Sequence, residues 1–174
     1  MRIFLTGFMG SGKTHVGRRL AARLGLPFID LDAAVEQRVG LTVREFFARD
    51  GEPAFRALES KLLRELAVLP MFVLATGGGA PCHDDNMEWM SGQGITVFLD
   101  PDVAILVRRL VNEREQRPLL QGREDLASLI ATKLSGRRDC YEKARIHVQQ
   151  THPNQDMVRL IADLLPKEDL SPTK

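Results

Sequence analysis

Residues Gly7-Phe8-Met9-Gly10-Ser11-Gly12-Lys13-Thr14 follow the pattern G-x-x-x-x-G-K-[ST], between an apolar run and an amphipathic stretch. Such a loop works only where a strand delivers it and a helix leaves it. The glycines let successive backbone N–H groups turn toward one point, and the helix N-terminus adds its positive dipole end there. Lys13 can then reach the β- and γ-phosphates of a nucleoside triphosphate, and the Thr14 hydroxyl can ligate Mg²⁺. A flexible glycine turn ahead of a helix is the bland alternative. Average composition gives such a match by chance in on the order of one chain in a hundred or fewer, and the strand–helix context lowers that further.

The rest of the chain supplies the fold that the loop demands. Short apolar strands are expected at Arg2–Thr6, Phe28–Asp30, Met71–Ala75, Ile95–Leu99 and Arg145–Gln149, with helical stretches between them. Val16, Leu20 and Leu24 mark one face of a helix over Lys13–Leu24, which Gly25 and Pro27 stop. Asp32 opens a helix to about Val39. Thr42 is placed to cap Val43–Ala48, Asp50-Gly51 marks a turn, and Phe55–Leu66 is helical by pattern. Further helices are expected near Asp84–Met90, Asp102–Val111, Asp125–Lys143 and Gln155–Leu165. The segment Asn112–Glu124 is charged, lacks periodicity and holds Pro118 and Gly122, which predicts a mobile lid. The polar tail 166–174 is expected to fray. The pattern predicts one α/β domain over 1–174, a three-layer α/β/α fold around a five-stranded parallel sheet.

Charge narrows the partners. The 24 basic and 23 acidic side chains leave a net +1, so no bulk field draws the chain to nucleic acid or to an anionic membrane. The apolar run Leu66–Ala75 is broken by Pro70 and is about half a membrane span. The N-terminal apolar run is too short for a secretory segment. Cys82 and Cys140 are far apart in sequence and form no CxxC pair, which argues against a disulfide framework or a zinc cage and suits a reducing cytoplasm. A monomer is the expectation, because the sequence shows neither a long apolar edge strand nor an interface stripe.

The loop alone leaves the phosphate acceptor open. No guanine-specific NKxD segment is present, and the strand Phe72-Val73-Leu74-Ala75 ends in Thr76-Gly77-Gly78-Gly79 rather than in the acidic residue of a motor ATPase. Four features point to an acceptor at the sheet's C-terminal edge. Asp30 and Asp32 stand two apart in an extended segment and so face the same way. One suits the Mg²⁺ shell and the other a hydroxyl proton, unless Asp32 merely caps the next helix. Arg56, with Glu59 three residues on, suits a carboxylate, unless it forms a solvated surface ion pair. Gly78 and Gly79 allow backbone N–H groups close to a polar ligand, unless they form an ordinary loop. Arg117, in Arg117-Pro118-Leu119-Leu120, can meet phosphoryl charge on a closing lid, unless it is simply solvated.

Taken in order, these motifs resemble the shikimate kinase family. The match runs from the phosphate loop and the Asp-x-Asp pair through Thr42-Val43-Arg44-Glu45-Phe46-Phe47, Gly51-Glu52 and Arg56. It continues through Thr76-Gly77-Gly78-Gly79 and the RPLL segment to Arg137, four residues before Tyr141. The resemblance implies transfer of the γ-phosphate of ATP to the 3-hydroxyl of shikimate, with Mg²⁺ as cofactor. By that likeness Gly10, Ser11, Gly12, Lys13 and Thr14 hold ATP, with Arg109, Arg117 and Asn154 also on the nucleotide. Lys13, Asp32 and Arg117 are catalytic, and Thr14 and Asp30 serve the metal. Asp32, Arg56, Gly78, Gly79 and Arg137 hold shikimate, within an acceptor region of about 32–60 and the later glycines and Arg137. Family members often have Pro-Leu before the tyrosine where this chain has Asp139-Cys140, and Arg138 beside Arg137 leaves two registers open for the second clamp. A gluconate kinase-like enzyme gives no reason for Arg56, Arg137 and the glycine triplet together. A silent nucleotide-binding regulator is expected to have lost Lys13, Asp32 or Arg117, and all three are present.

Overall fold

A computed structural model describes residues 1–111 and 126–166. Five parallel strands, β1 (Arg2–Thr6), β2 (Phe28–Asp30), β3 (Phe72–Ala75), β4 (Ile95–Pro101) and β5 (Ile146–Gln150), form one sheet in the order β2-β3-β1-β4-β5. The described helices are α1 (Lys13–Leu24), α2 (Leu31–Val39), α3 (Val43–Leu66), α4 (Asn86–Gln93), α5 (Val103–Val111), α6 (Leu126–Tyr141) and α7 (Met157–Leu164). A 3-10 turn at Ala80–Cys82 lies between β3 and α4.

Strand alternation explains the three layers. On β1, Ile3 and Leu5 join the core formed with Val16 and Leu20 of α1 and Met157 and Ile161 of α7. Phe4, between them, points to the opposite face and packs with residues of α2, α3 and α4. A third cluster surrounds Phe98 of β4 and holds α5 and α6 to the same face as Phe4. The central strands β3 and β4 are buried along their whole length, whereas the edge strand β5 alternates buried and exposed residues.

Because β1 is flanked by β3 and β4, the loops leaving β1 and β3 emerge side by side at the C-terminal edge. Ligands in open α/β sheets bind at such an edge, where the connections diverge.

Local structure departs from the sequence reading in several places. The Val43–Ala48 and Phe55–Leu66 helices run as one element, α3, but Gly51 breaks its helical geometry with φ 80° and ψ 171°. The turn expected at Asp50-Gly51 is therefore a kink inside a longer helix. Thr42 caps α3 as expected, in a reciprocal capping box with Glu45. β4 continues through Asp100 to Pro101 instead of stopping at Leu99. The lid segment 112–124, with Arg117, and all of the tail beyond 166 lie outside the described residues. Among the described residues no helix is long and apolar enough to cross a membrane.

Candidate active site

The loop after β1 has the backbone that its glycines predict. Gly10 and Gly12 take φ 77° and 92°, a region that side chains disfavour, and Gly12 caps α1 from that conformation. Lys13 begins α1 and is almost fully buried; its ammonium donates to the carbonyls of Gly7 at 2.8 Å and Phe8 at 3.0 Å. The loop folds around its own lysine, which holds the charge at its centre. Gly10, Ser11, Gly12, Lys13 and Thr14 form one wall of a cavity of about 790 Å³.

Asp30 and Asp32 form another part of that wall, by a route different from the sequence reading. They do not share an extended segment. Asp30 ends β2 and caps α2 by accepting from the Ala33 N–H at 3.3 Å, while Asp32 already lies in the first helical turn. The capping role weighed for Asp32 belongs to Asp30. The Thr14 hydroxyl donates to the other oxygen of Asp30 at 2.7 Å, so the two residues assigned to a metal meet. Both offer hard oxygen donors, a set that suits Mg²⁺. Asp32 faces the glycine triplet: a Cβ on Gly77 would come within 2.8 Å of Asp32 Oδ1.

Arg56 is held from several sides. It pairs with Glu59 at 2.5 Å and with Glu52 at 3.2 Å, and its guanidinium lies 5.3 Å from the centre of the Phe55 ring. Its side chain is 12% exposed and that of Glu59 is fully buried, so this is no solvated surface pair. Arg56 packs so closely on Gly79 that any side chain there would collide with the guanidinium. Burial is the largest influence on the Glu59 carboxyl and, with help from the Asp32 charge, raises its pKa to about 7 against the opposing pull of Arg56 and Lys13. Its Oε1 has no hydrogen-bond partner.

Of the two adjacent arginines, Arg137 turns to the triplet, donating to the Gly78 carbonyl at 3.3 Å and lying over Phe8. Arg138 instead grips Asp100 with both terminal nitrogens, at 3.0 and 3.1 Å, and is tied to β4. Tyr141, one turn on from Arg137, also donates to the Gly78 carbonyl and is fully buried. On the far side of the cavity, Arg109 donates to the Gly10 carbonyl at 3.1 Å and to Gln150 at 2.9 Å, with Asn154 also on the wall. Gln150 and the Tyr141 hydroxyl were missed in the sequence, where a polar strand end and a lone tyrosine carry no distinctive spacing.

The family model described as shikimate kinase matches residues 9–165, most of the chain. The chain belongs to the shikimate kinase family. A shikimate kinase from Bacteroides fragilis is 49% identical over 146 residues, covering 83% of this chain and 82% of that protein. The shikimate kinase structure from Bacteroides thetaiotaomicron superimposes with a TM-score of 0.88 at 42% identity, over 94% of this chain and 97% of the other. The shikimate kinase of Acinetobacter baumannii, solved in complex with shikimate, gives a TM-score of 0.89 at 35% identity, over 98% of this chain and 95% of the other. The two superimposed shikimate kinases share the fold that surrounds the cavity.

Proposed function

We propose that this shikimate kinase transfers the γ-phosphoryl group of ATP to the 3-hydroxyl of shikimate, giving shikimate 3-phosphate and ADP. The observation that carries the reading is the convergence of Arg56 and Arg137 on Gly79 and Gly78, beside the wall that holds Lys13 and Asp32. Two cations at one glycine turn suit a small carboxylate, and the phosphate loop stands next to it.

In this reading the phosphate-loop N–H groups and Lys13 hold the β- and γ-phosphates, and the Arg109–Asn154 side of the cavity takes the nucleoside. Arg56 and Arg137 fix the shikimate carboxylate, which turns the 3-hydroxyl toward Asp32. Asp32 accepts the hydroxyl proton as the oxygen bonds to the γ-phosphorus and the bond from that phosphorus to the ADP oxygen breaks. Lys13 meets the charge that spreads over the transferring group, and Arg117 adds a second cation from the RPLL segment. Thr14 and Asp30 would hold Mg²⁺, directly or through its water shell, and the ion would neutralise charge on the phosphate oxygens. The protein acts as a monomer in the cytoplasm; its three-residue edge strand β2 and its alternating edge strand β5 offer little for edge-to-edge pairing.

A coupled ADP-release assay tests the assignment. Release is expected to need Mg²⁺ and to rise strongly with shikimate, but not with gluconate or a nucleoside monophosphate. Preference for either alternative acceptor overturns it.

A further inference from the structure

Asn86, the first residue of α4, is fully buried, and both ends of its side-chain amide are engaged. Its Nδ2 donates to the Ser60 hydroxyl and to the Ala80 carbonyl, both at 2.8 Å. Its Oδ1 accepts from Arg64 Nη1 at 2.7 Å. The amide fits only this way round. A guanidinium only donates and a carbonyl only accepts, so a flipped amide would set donor against donor at Arg64 and acceptor against acceptor at Ala80.

The partners of Asn86 lead to the acceptor turn. Arg56, Ser60 and Arg64 stand four apart on α3 and so share one face of that helix. Arg56 packs directly on Gly79. Ser60 and Arg64 hold Asn86, which holds the carbonyl of the next residue, Ala80. The Ala80 N–H donates back to the Gly77 carbonyl at 3.3 Å, so the chain of contacts returns to the start of the triplet. One face of α3 thus grips the turn twice, by a cation at Gly79 and through a buried amide at Ala80. The joint between α3 and α4 has other ties. Arg64 pairs with Asp85 and lies 5.1 Å from the centre of the Trp89 ring, and Met87 and Met90 pack in the same apolar cluster as Leu62 and Leu63. What Asn86 adds to them is the hold on Ala80.

We propose that Asn86 is a positioning residue for the acceptor: its donation to Ala80 sets the glycine turn, and with it Gly78 and Gly79, against Arg137 and Arg56. The effect on shikimate rests on the function proposed above. The setting of the turn does not.

Two variants remove the donation in different ways. Asn86→Asp keeps the shape and the contact with Arg64 but turns an acceptor toward Ala80, and Asn86→Ala removes the amide without adding charge. Each should raise the KM for shikimate about threefold or more, with a smaller change in the KM for ATP measured at saturating shikimate. Amide exchange followed by mass spectrometry should quicken across 77–83, where the Ala80, Cys82 and His83 N–H groups are bonded inside the turn, and stay at the parent rate in α1. A urea midpoint that falls while both KM values hold overturns the proposal, because the amide would then only join α3 to α4. An equal rise in both KM values, or failure of both variants to fold, overturns it as well. Absence of any shikimate-dependent turnover in the parent counts against the proposed function, while the exchange rates still decide whether Asn86 sets the turn.

Discussion

Glu59 shows how one residue's surroundings set its chemistry. It accepts from Arg56, yet desolvation keeps its carboxyl protonated further up the pH scale than an exposed glutamate, at a pKa of about 7 against the ordinary 4.5. The folded state therefore holds a proton that the unfolded chain releases. The stabilisation, about 3 kcal/mol, is fully present below the unfolded pKa and is lost as pH rises through the folded one. Urea midpoints measured from about pH 5 to about pH 8 should fall for the parent, and Glu59→Gln should flatten a large part of that slope. An equally steep slope in the variant would refute the assignment. The neighbouring arginines make a sharper pair. Arg137→Ala should raise the shikimate KM about tenfold or more with little loss of stability, because in the proposed reading its partner is the acceptor. Arg138→Ala should leave that KM alone and cost about 1–2 kcal/mol, since Asp100 loses its bidentate partner and, among the described residues, keeps only the His147 ion pair. Reversal of the two effects would reassign the clamp. In the sequence these arginines are indistinguishable, because helical neighbours point about 100° apart and the helix's rotation is set by packing.

At the scale of elements, the phosphate loop, the strands and the cap at Thr42 were all legible, because each rests on local pattern. The Asp30–Asp32 geometry was not. Whether a strand ends one residue earlier or later is decided by where Asp30 finds the Ala33 N–H and the Thr14 hydroxyl, and the second of these comes from α1. The Arg56–Glu59 pair has the same i, i+3 spacing on a wet helix face as on a dry one, so its burial needed the packed fold. The kink in α3 supplies a prediction of its own. Gly51 holds φ 80° and ψ 171°, a conformation nearly reserved for glycine, and it sets the angle at which Arg56 leaves the preceding turns. Gly51→Ala should cost about 1–3 kcal/mol in urea unfolding. A change within error would mean that the kink relaxes freely.

The molecule as a whole is built on one sheet with apolar clusters on both faces. Trp89, the only tryptophan, packs edge-on to Phe4 of the central strand, so its fluorescence reports on the sheet's own integrity. Urea transitions followed by Trp89 fluorescence and by far-ultraviolet circular dichroism should coincide for one cooperative unit. Separate midpoints would divide the chain. The order β2-β3-β1-β4-β5 was not legible, because hydrophobic runs mark strands without naming their neighbours. Yet that order puts the loop after β1 against the turn after β3. A Cβ on Gly78 would come within 3.2 Å of the Met9 nitrogen. In the proposed reading, the loop that holds the nucleotide and the turn that holds the acceptor are thus in backbone contact, so ordering one orders the other. Ordering imposed by the first guest is ordering the second need not repeat, and a closed thermodynamic cycle makes the help mutual: whatever factor one lends the other's affinity, it receives in return.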